Sequence, residues 1–123
     1  MTSKTTEYYH SHSDVVAFKR FEDSDGYWGE RTYNDKGNKL TYKNSYGYWS
    51  EYTYDDKGNE LTYKDSDGYS CESTYDDNGN QLTFKNSEGY FEIKGKEVTE
   101  QEFENRPFAG KKVIVDGVEY QLK

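Results

Sequence analysis

The chain has 123 residues, a net charge of −8 and a pI near 4.8, with 31% hydrophobic and 18% aromatic residues. That length makes one domain, which buries only about two-thirds of the surface its unfolded form exposes, so at most one modest core is available. The acidity excludes a phosphate-binding surface, because nucleic-acid affinity rests on Lys and Arg displacing counterions; no run approaches the roughly 18 apolar residues of a membrane span; and the lone Cys71 excludes an intrachain disulfide.

Residues 1–19 open on MTSKTTEYYH, which lacks the apolar core of a signal peptide, so the cytoplasm of a bacterial host cell is the expected compartment. The segment reads as a tail and a degenerate capping repeat in which SDVVAFKRF replaces the usual turn track. His10 and His12 form an H-S-H pair, but no third His or Cys accompanies them, so a solvated tail without a metal is expected.

Residues 20–92 are a tandem repeat of roughly 21 residues: EDSDGYWGERTYNDKGNKLTYK, then KNSYGYWSEYTYDDKGNELTYK, then KDSDGYSCESTYDDNGNQLTFK. Gly26, Gly47, Gly68 and Gly89 mark one turn per repeat, and Gly37, Gly58 and Gly79 mark a second. Each glycine stands where a hairpin turn needs a positive φ, with Asp or Asn ahead of it. Segments of strand length, rich in Tyr, Thr, Trp and Phe, lie between. The expected fold class is therefore all-β: an antiparallel meander, or else a closed β-solenoid, of two-strand repeats.

Alternation assigns the faces. Tyr27, Arg31 and Tyr33, Tyr48, Tyr52 and Tyr54, and Tyr69, Cys71 and Tyr75 share one face, with Leu40, Tyr42, Leu61, Tyr63, Leu82 and Phe84 from the hairpin mates. The other face carries Trp28 and Trp49 with Glu30, Glu51, Glu72, the threonines Thr32, Thr53, Thr74 and the lysines Lys43, Lys64, Lys85. A continuous meander advances roughly 9.6 Å per repeat, which predicts ladders of like residues, Glu beside Lys and Thr beside Thr.

Residues 93–123 lose the period and are expected to form a cap. Thr99 and Glu102 have capping-box spacing for a short helix over about 99–106, and Asp116–Gly117 between β-branched runs predicts a hairpin over about 112–122. Together they are expected to cover one end of the sheet and block its edge.

The chemistry-bearing residues point to surfaces. There is no GxGxxG, P-loop, G-x-S-x-G or HExxH pattern, and Cys71 stands where Gly29 and Ser50 stand in the other repeats, so it reads as a packing position. The turn carboxylates Asp35, Asp56 and Asp77 lack the ligand series of a calcium loop. No catalytic residue, metal or cofactor is expected. The candidate binding residues are Trp28 and Trp49, the aromatic ladder of Tyr27, Tyr48 and Tyr69, and the acidic row Asp35, Asp56 and Asp77.

The TYDDKGNELTY units resemble the YD-type repeats of Rhs-like proteins, over residues 20–92. The resemblance implies β-repeat architecture; shells that enclose a toxin in that family need far more repeats than stand here. Asn38, Asn59 and Asn80 occupy positions where the family often has Arg. In style the chain is also similar to small phage- or mobile-element-encoded repeat proteins. The expected function is a non-enzymatic, acidic inhibitor or immunity-type protein, of the phage anti-defence or anti-CRISPR class, docking on a protein partner such as a nucleic-acid enzyme or defence complex. Recognition of a small ligand or glycan by the aromatic face is the alternative, and structural self-assembly is a third. Direct nucleic-acid and membrane binding are not expected; a homodimer would supply the second layer that a sheet requires.

Overall fold

The structure, a computed structural model, describes residues 2–105 and the backbone of two further strands, residues 112–115 and 118–121. Ten strands pair antiparallel in chain order in one open sheet: β1 Ser3–Tyr9, β2 Val16–Asp23, β3 Trp28–Tyr33, β4 Lys39–Asn44, β5 Trp49–Tyr54, β6 Glu60–Asp65, β7 Ser70–Tyr75, β8 Gln81–Asn86, β9 Phe91–Ile93 and β10 Lys96–Val98. The meander is thus the observed form, and the solenoid is not. A five-residue helix, α1 (Glu100–Glu104), follows, and β11 (Lys112–Val115) pairs with β12 (Val118–Gln121) as a separate hairpin.

One turn, repeated, sets the spacing of the strands. Asp23, Asn34, Asn44, Asp55, Asp65, Asp76 and Asn86 each point a side-chain oxygen at the backbone N–H groups two and four residues on. At Asn34 these bonds run from Lys36 N at 3.0 Å and Asn38 N at 2.9 Å. Gly37 N donates to Asn34 O, and Gly37 takes φ +86°, as Gly47 takes +85° in the other track, a conformation nearly free for glycine and costly for other residues. On the Gly37–Gly58–Gly79 track the carboxylates that hold turns are therefore Asp55 and Asp76, while their neighbours Asp56 and Asp77 stand exposed at the tips.

The spacing between turn starts alternates between 11 and 10 residues, and the odd residue is absorbed by a β-bulge. Tyr33 pairs with Lys39 but Thr32 pairs with Thr41, which leaves Leu40 as the extra residue; Leu61 and Leu82 are its equivalents. The bulge changes the expected ladders. Glu30 does pair with Lys43 and Thr32 with Thr41, yet across the next junction Thr41 meets Glu51. Rows thus slant by two residues per repeat, and one row reads Thr53, Thr62, Glu72, Lys85, Phe91, Val98. Beyond the Thr–Thr pair within each hairpin, like residues do not align from one repeat to the next; each row is a mixed string, because register is fixed hairpin by hairpin.

At the N-terminus the expected tail is strand. β1 pairs with β2 along its length, and His10 closes their loop, its N donating to Val15 O at 2.9 Å and its Nε2 sharing a 2.9 Å hydrogen bond with Tyr33 O. At the other end β9 and β10 form a hairpin that the loss of period conceals. Its turn residues Lys94 and Gly95 both have positive φ, 51° and 81°, the signature of a tight two-residue hairpin loop. The capping box of α1 is present, with Thr99 Oγ1 accepting from Glu102 N and Glu102 Oε1 accepting from Thr99 N, both at 3.1 Å. Phe103 seats the helix on Phe91, ring centroids 5.2 Å apart, so α1 covers the face of β9 and not the sheet edge, which is β10. The expected helix end at 106, the hairpin tip at 116–117 and residue 122 lie outside the described residues.

Among the described residues Phe103 is the one buried hydrophobic side chain, 2% exposed. The sheet is a single layer, and cross-strand contacts replace a core. Tyr27 and Tyr42 bond hydroxyl to hydroxyl at 2.9 Å, as do Tyr48 and Tyr63, and Tyr54 and Tyr75 donate to the carbonyls of Lys39 and Glu60. Under these pairs lie the small residues Gly29 and Ser50, Ser50 being 2% exposed. Cys71 stands at the equivalent position in the third repeat, where Phe84 replaces Tyr42 and Tyr63, and burial pushes the thiol's pKa up.

Two outcomes follow. A Cβ on Gly29 would meet Tyr42 at 3.5 Å and Tyr27 at 3.6 Å, ordinary contact distances, so Gly29→Ala is expected to stabilise the protein by about 0.5–1 kcal/mol through lower unfolded-state entropy; a lowered urea midpoint would contradict this. The backbone amides of Asn59 and Asn80 hold the Asp55 and Asp76 carboxyls below their ordinary pKa. Groups depressed in the folded state contribute stability above the unfolded pKa and lose it as pH falls through the folded one. Asp55→Asn with Asp76→Asn, which copies Asn34, is expected to fold and to lose less stability than wild type between neutrality and about pH 3; an undiminished loss in urea unfolding would count against it.

Candidate functional site

The residues singled out by the sequence fall in three places. Tyr27, Tyr48 and Tyr69 lie on the aromatic face, Trp28 and Trp49 on the opposite, polar face, and Asp35, Asp56 and Asp77 on one turn edge. They do not converge on one site.

On the polar face the two tryptophans differ. Trp28 is covered by the Arg20 guanidinium, 4.7 Å from the ring, and Arg20 is itself held by Glu22 and Glu30. Trp49 has a serine, Ser70, as its counterpart one repeat on, and stands 40% exposed. Lys43, Lys64 and Lys85 bridge to Glu30, Glu51 and Glu72 at 3.4–3.5 Å, and Thr32–Thr41, Thr53–Thr62 and Thr74–Thr83 share hydrogen bonds of 2.6 Å. Each exposed ion pair contributes little. Phe18 and Trp49 flank a shallow groove of about 450 Å³ floored by Thr32 and Thr41.

On the aromatic face the hydroxyls are ordered. Tyr42 accepts from Asn44 Nδ2 at 3.3 Å, and Tyr63 donates to Asp65 Oδ2 at 2.8 Å. The Tyr48 hydroxyl, burial and the Asp65 carboxylate raise the Tyr63 pKa, while the Tyr63 hydroxyl lowers that of Asp65. Arg31 and Lys39 lie over the Tyr42 ring, and Lys39 also reaches Tyr52 at 4.9 Å.

The two turn edges carry different charge. On the edge of Asp35, Asp56 and Asp77, Lys36 Nζ donates to Asp56 O at 2.7 Å and Lys57 Nζ to Asp77 O at 2.6 Å. Each lysine thus staples one turn to the next and places a positive charge on this edge. The opposite edge, built by Asp23–Tyr27, Asn44–Tyr48, Asp65–Tyr69 and Asn86–Tyr90, holds Asp23, Asp25, Asp65, Asp67 and Glu88 and no lysine. Its tips are Asp25, Tyr46, Asp67 and Glu88, and Tyr46 is 82% exposed, the most exposed large hydrophobic side chain among the described residues. Inspection of the sequence passes over this row because Tyr46 interrupts the acidic series; the missing lysines were the available signal.

Among the described residues no group of three His, Cys, Asp or Glu is placed to hold a metal ion, and no helix is long and apolar enough to cross a membrane. The chain matches no protein-family model and no curated protein.

The unequal cover of the tryptophans predicts a fluorescence result. Acrylamide is expected to quench Trp49 more readily than Trp28, so Trp49→Phe removes most of the readily quenched emission; equal quenching of the two single-Trp variants would contradict the Arg20 cover.

Proposed function

We propose that the protein is a non-enzymatic binding module, an acidic inhibitor or immunity-type protein that docks on a basic surface of a partner protein through the edge bearing Asp25, Tyr46, Asp67 and Glu88. The observation that carries this reading is the coincidence of uncompensated carboxylates with an 82% exposed tyrosine on one rigid edge. Carboxylates in a row steer a basic partner and set register, and exposed Tyr is among the residues that concentrate binding energy. Tips spaced roughly 9.6 Å apart span three intervals of a protein groove. The YD-like repeat serves this reading as scaffold, and phage anti-defence proteins acting on nucleic-acid enzymes in a bacterial cytoplasm are the class to test first.

The test is affinity capture from bacterial lysate followed by mass spectrometry. Wild type and the Asp35→Asn, Asp56→Asn, Asp77→Asn variant are expected to retain one basic protein, which the Asp25→Asn, Tyr46→Ala, Asp67→Asn, Glu88→Gln variant loses. Retention by the latter would refute the assignment.

The groove between Phe18 and Trp49 favours a second reading, a small ligand or glycan, since flat rings beside hydroxyls and carboxylates suit sugar rings. Oligosaccharide titration would then shift Trp emission in wild type and not in Trp49→Phe; no shift in wild type rejects it.

A further inference from the structure

We propose that the aromatic face is the interface of a homodimer, covered by a second copy of this chain related by a two-fold axis parallel to the strands and passing over β5 and β6. Three observations converge on that occupant.

The first is surface area. The chain exposes 8949 Å², whereas a compact protein of 14.5 kDa exposes about 6900 Å². The excess, about 2000 Å² per chain, is the scale that obligate homodimers remove from water.

The second is satisfaction of polar groups. The hydroxyls of Tyr27, Tyr42, Tyr48, Tyr63, Tyr54 and Tyr75 all have partners within the layer. Burying these rings under another layer therefore leaves no hydroxyl stranded, and a second layer is what sheets use to remove an apolar face from water. The polar face, by contrast, carries a charged side chain on each of β2–β8 that would lose hydration under a second layer, whereas β5, β7 and β8 carry none on the aromatic face.

The third is charge. Between the turns, the charged side chains on this face of β2–β4 are Lys19, Arg31 and Lys39; on β6–β10 they are Glu60, which takes the place of Lys39 one repeat on, and then Glu92 and Glu97. Glu7, on the outermost strand, pairs with Lys19 in its own chain. A two-fold axis along the strands exchanges β2 with β9 and lays the basic half of one copy over the acidic half of the other. The same axis leaves both Asp25–Tyr46–Asp67–Glu88 edges at one end of the sandwich, doubling the row proposed above without using any of its residues.

Light scattering on the eluting protein should give the mass of two chains. Lys19→Glu with Lys39→Glu makes the face predominantly acidic, leaving Arg31 as its one basic side chain between the turns, and Glu60→Lys with Glu92→Lys makes it predominantly basic, leaving Glu7 and Glu97; each is expected to elute as a monomer with an unchanged β circular dichroism spectrum, and an equimolar mixture to recover the dimer. Tetranitromethane on wild type supplies a check that needs no variant: Tyr46, Tyr8 and Tyr9 should be nitrated while Tyr42, Tyr48 and Tyr63 are spared. A wild-type monomer at every concentration, a dimer indifferent to both charge variants, or prompt nitration of Tyr42, Tyr48 and Tyr63 would overturn the proposal. Partner capture through the acidic edge is read on separate residues, so either result stands apart from the other.

Discussion

The turn in which an Asp or Asn oxygen gathers two backbone amides is the constraint on which the molecule depends. With a single fully buried hydrophobic side chain among the described residues, strand order and register are not imposed by a core within the chain. Register is imposed locally, at every reversal, by one side chain that satisfies N–H groups which would otherwise need water. The glycine then lets the chain turn back. Because each hairpin is specified by its own turn, the fold is quasi-one-dimensional, and its stability is a sum of neighbour contacts.

Tyrosine suits such a sheet. Its ring supplies apolar area to cross-strand neighbours, and its hydroxyl, reaching sideways to a second hydroxyl or to a carbonyl, ties β3 to β4 or β5 back to β4. The column of Gly29, Ser50 and Cys71 keeps a small residue at this position in every repeat, with the Tyr42 ring 3.5 Å from where a Cβ of Gly29 would stand. The same arrangement leaves the outer surfaces of the rings apolar, which is why the aromatic face suits a second layer and the polar face suits water.

Much of this fold is legible in the sequence, since period-two alternation and glycine spacing are local properties. The faces of Tyr27, Tyr48, Trp28 and Trp49, the strands of the repeat, the Glu30–Lys43 pairing and the Thr99 capping box follow from them. The slant of the rows does not, because it depends on Leu40 being the bulged residue, a choice made between strands. The β9–β10 hairpin is hidden because Lys94–Gly95 breaks the period that marks every other turn, and β1 reads as a tail because its strand character rests on pairing with β2. For the docking surface, counting carboxylates selects Asp35, Asp56 and Asp77, but Lys36 and Lys57 stand on the same edge, bonded to the backbone carbonyls of Asp56 and Asp77; the edge without lysines is the more acidic one.

The central claim is that side-chain-anchored turns, and not a core, hold the sheet in register, and native-state hydrogen exchange tests it most directly. The amides of Lys36 and Asn38, Lys57 and Asn59, and Asn78 and Asn80, bonded to Asn34, Asp55 and Asp76, are expected to be protected to the same degree as amides in the middle of β4 and β6. Turn amides that exchange as freely as an unfolded chain, beneath strands that stay protected, would contradict it.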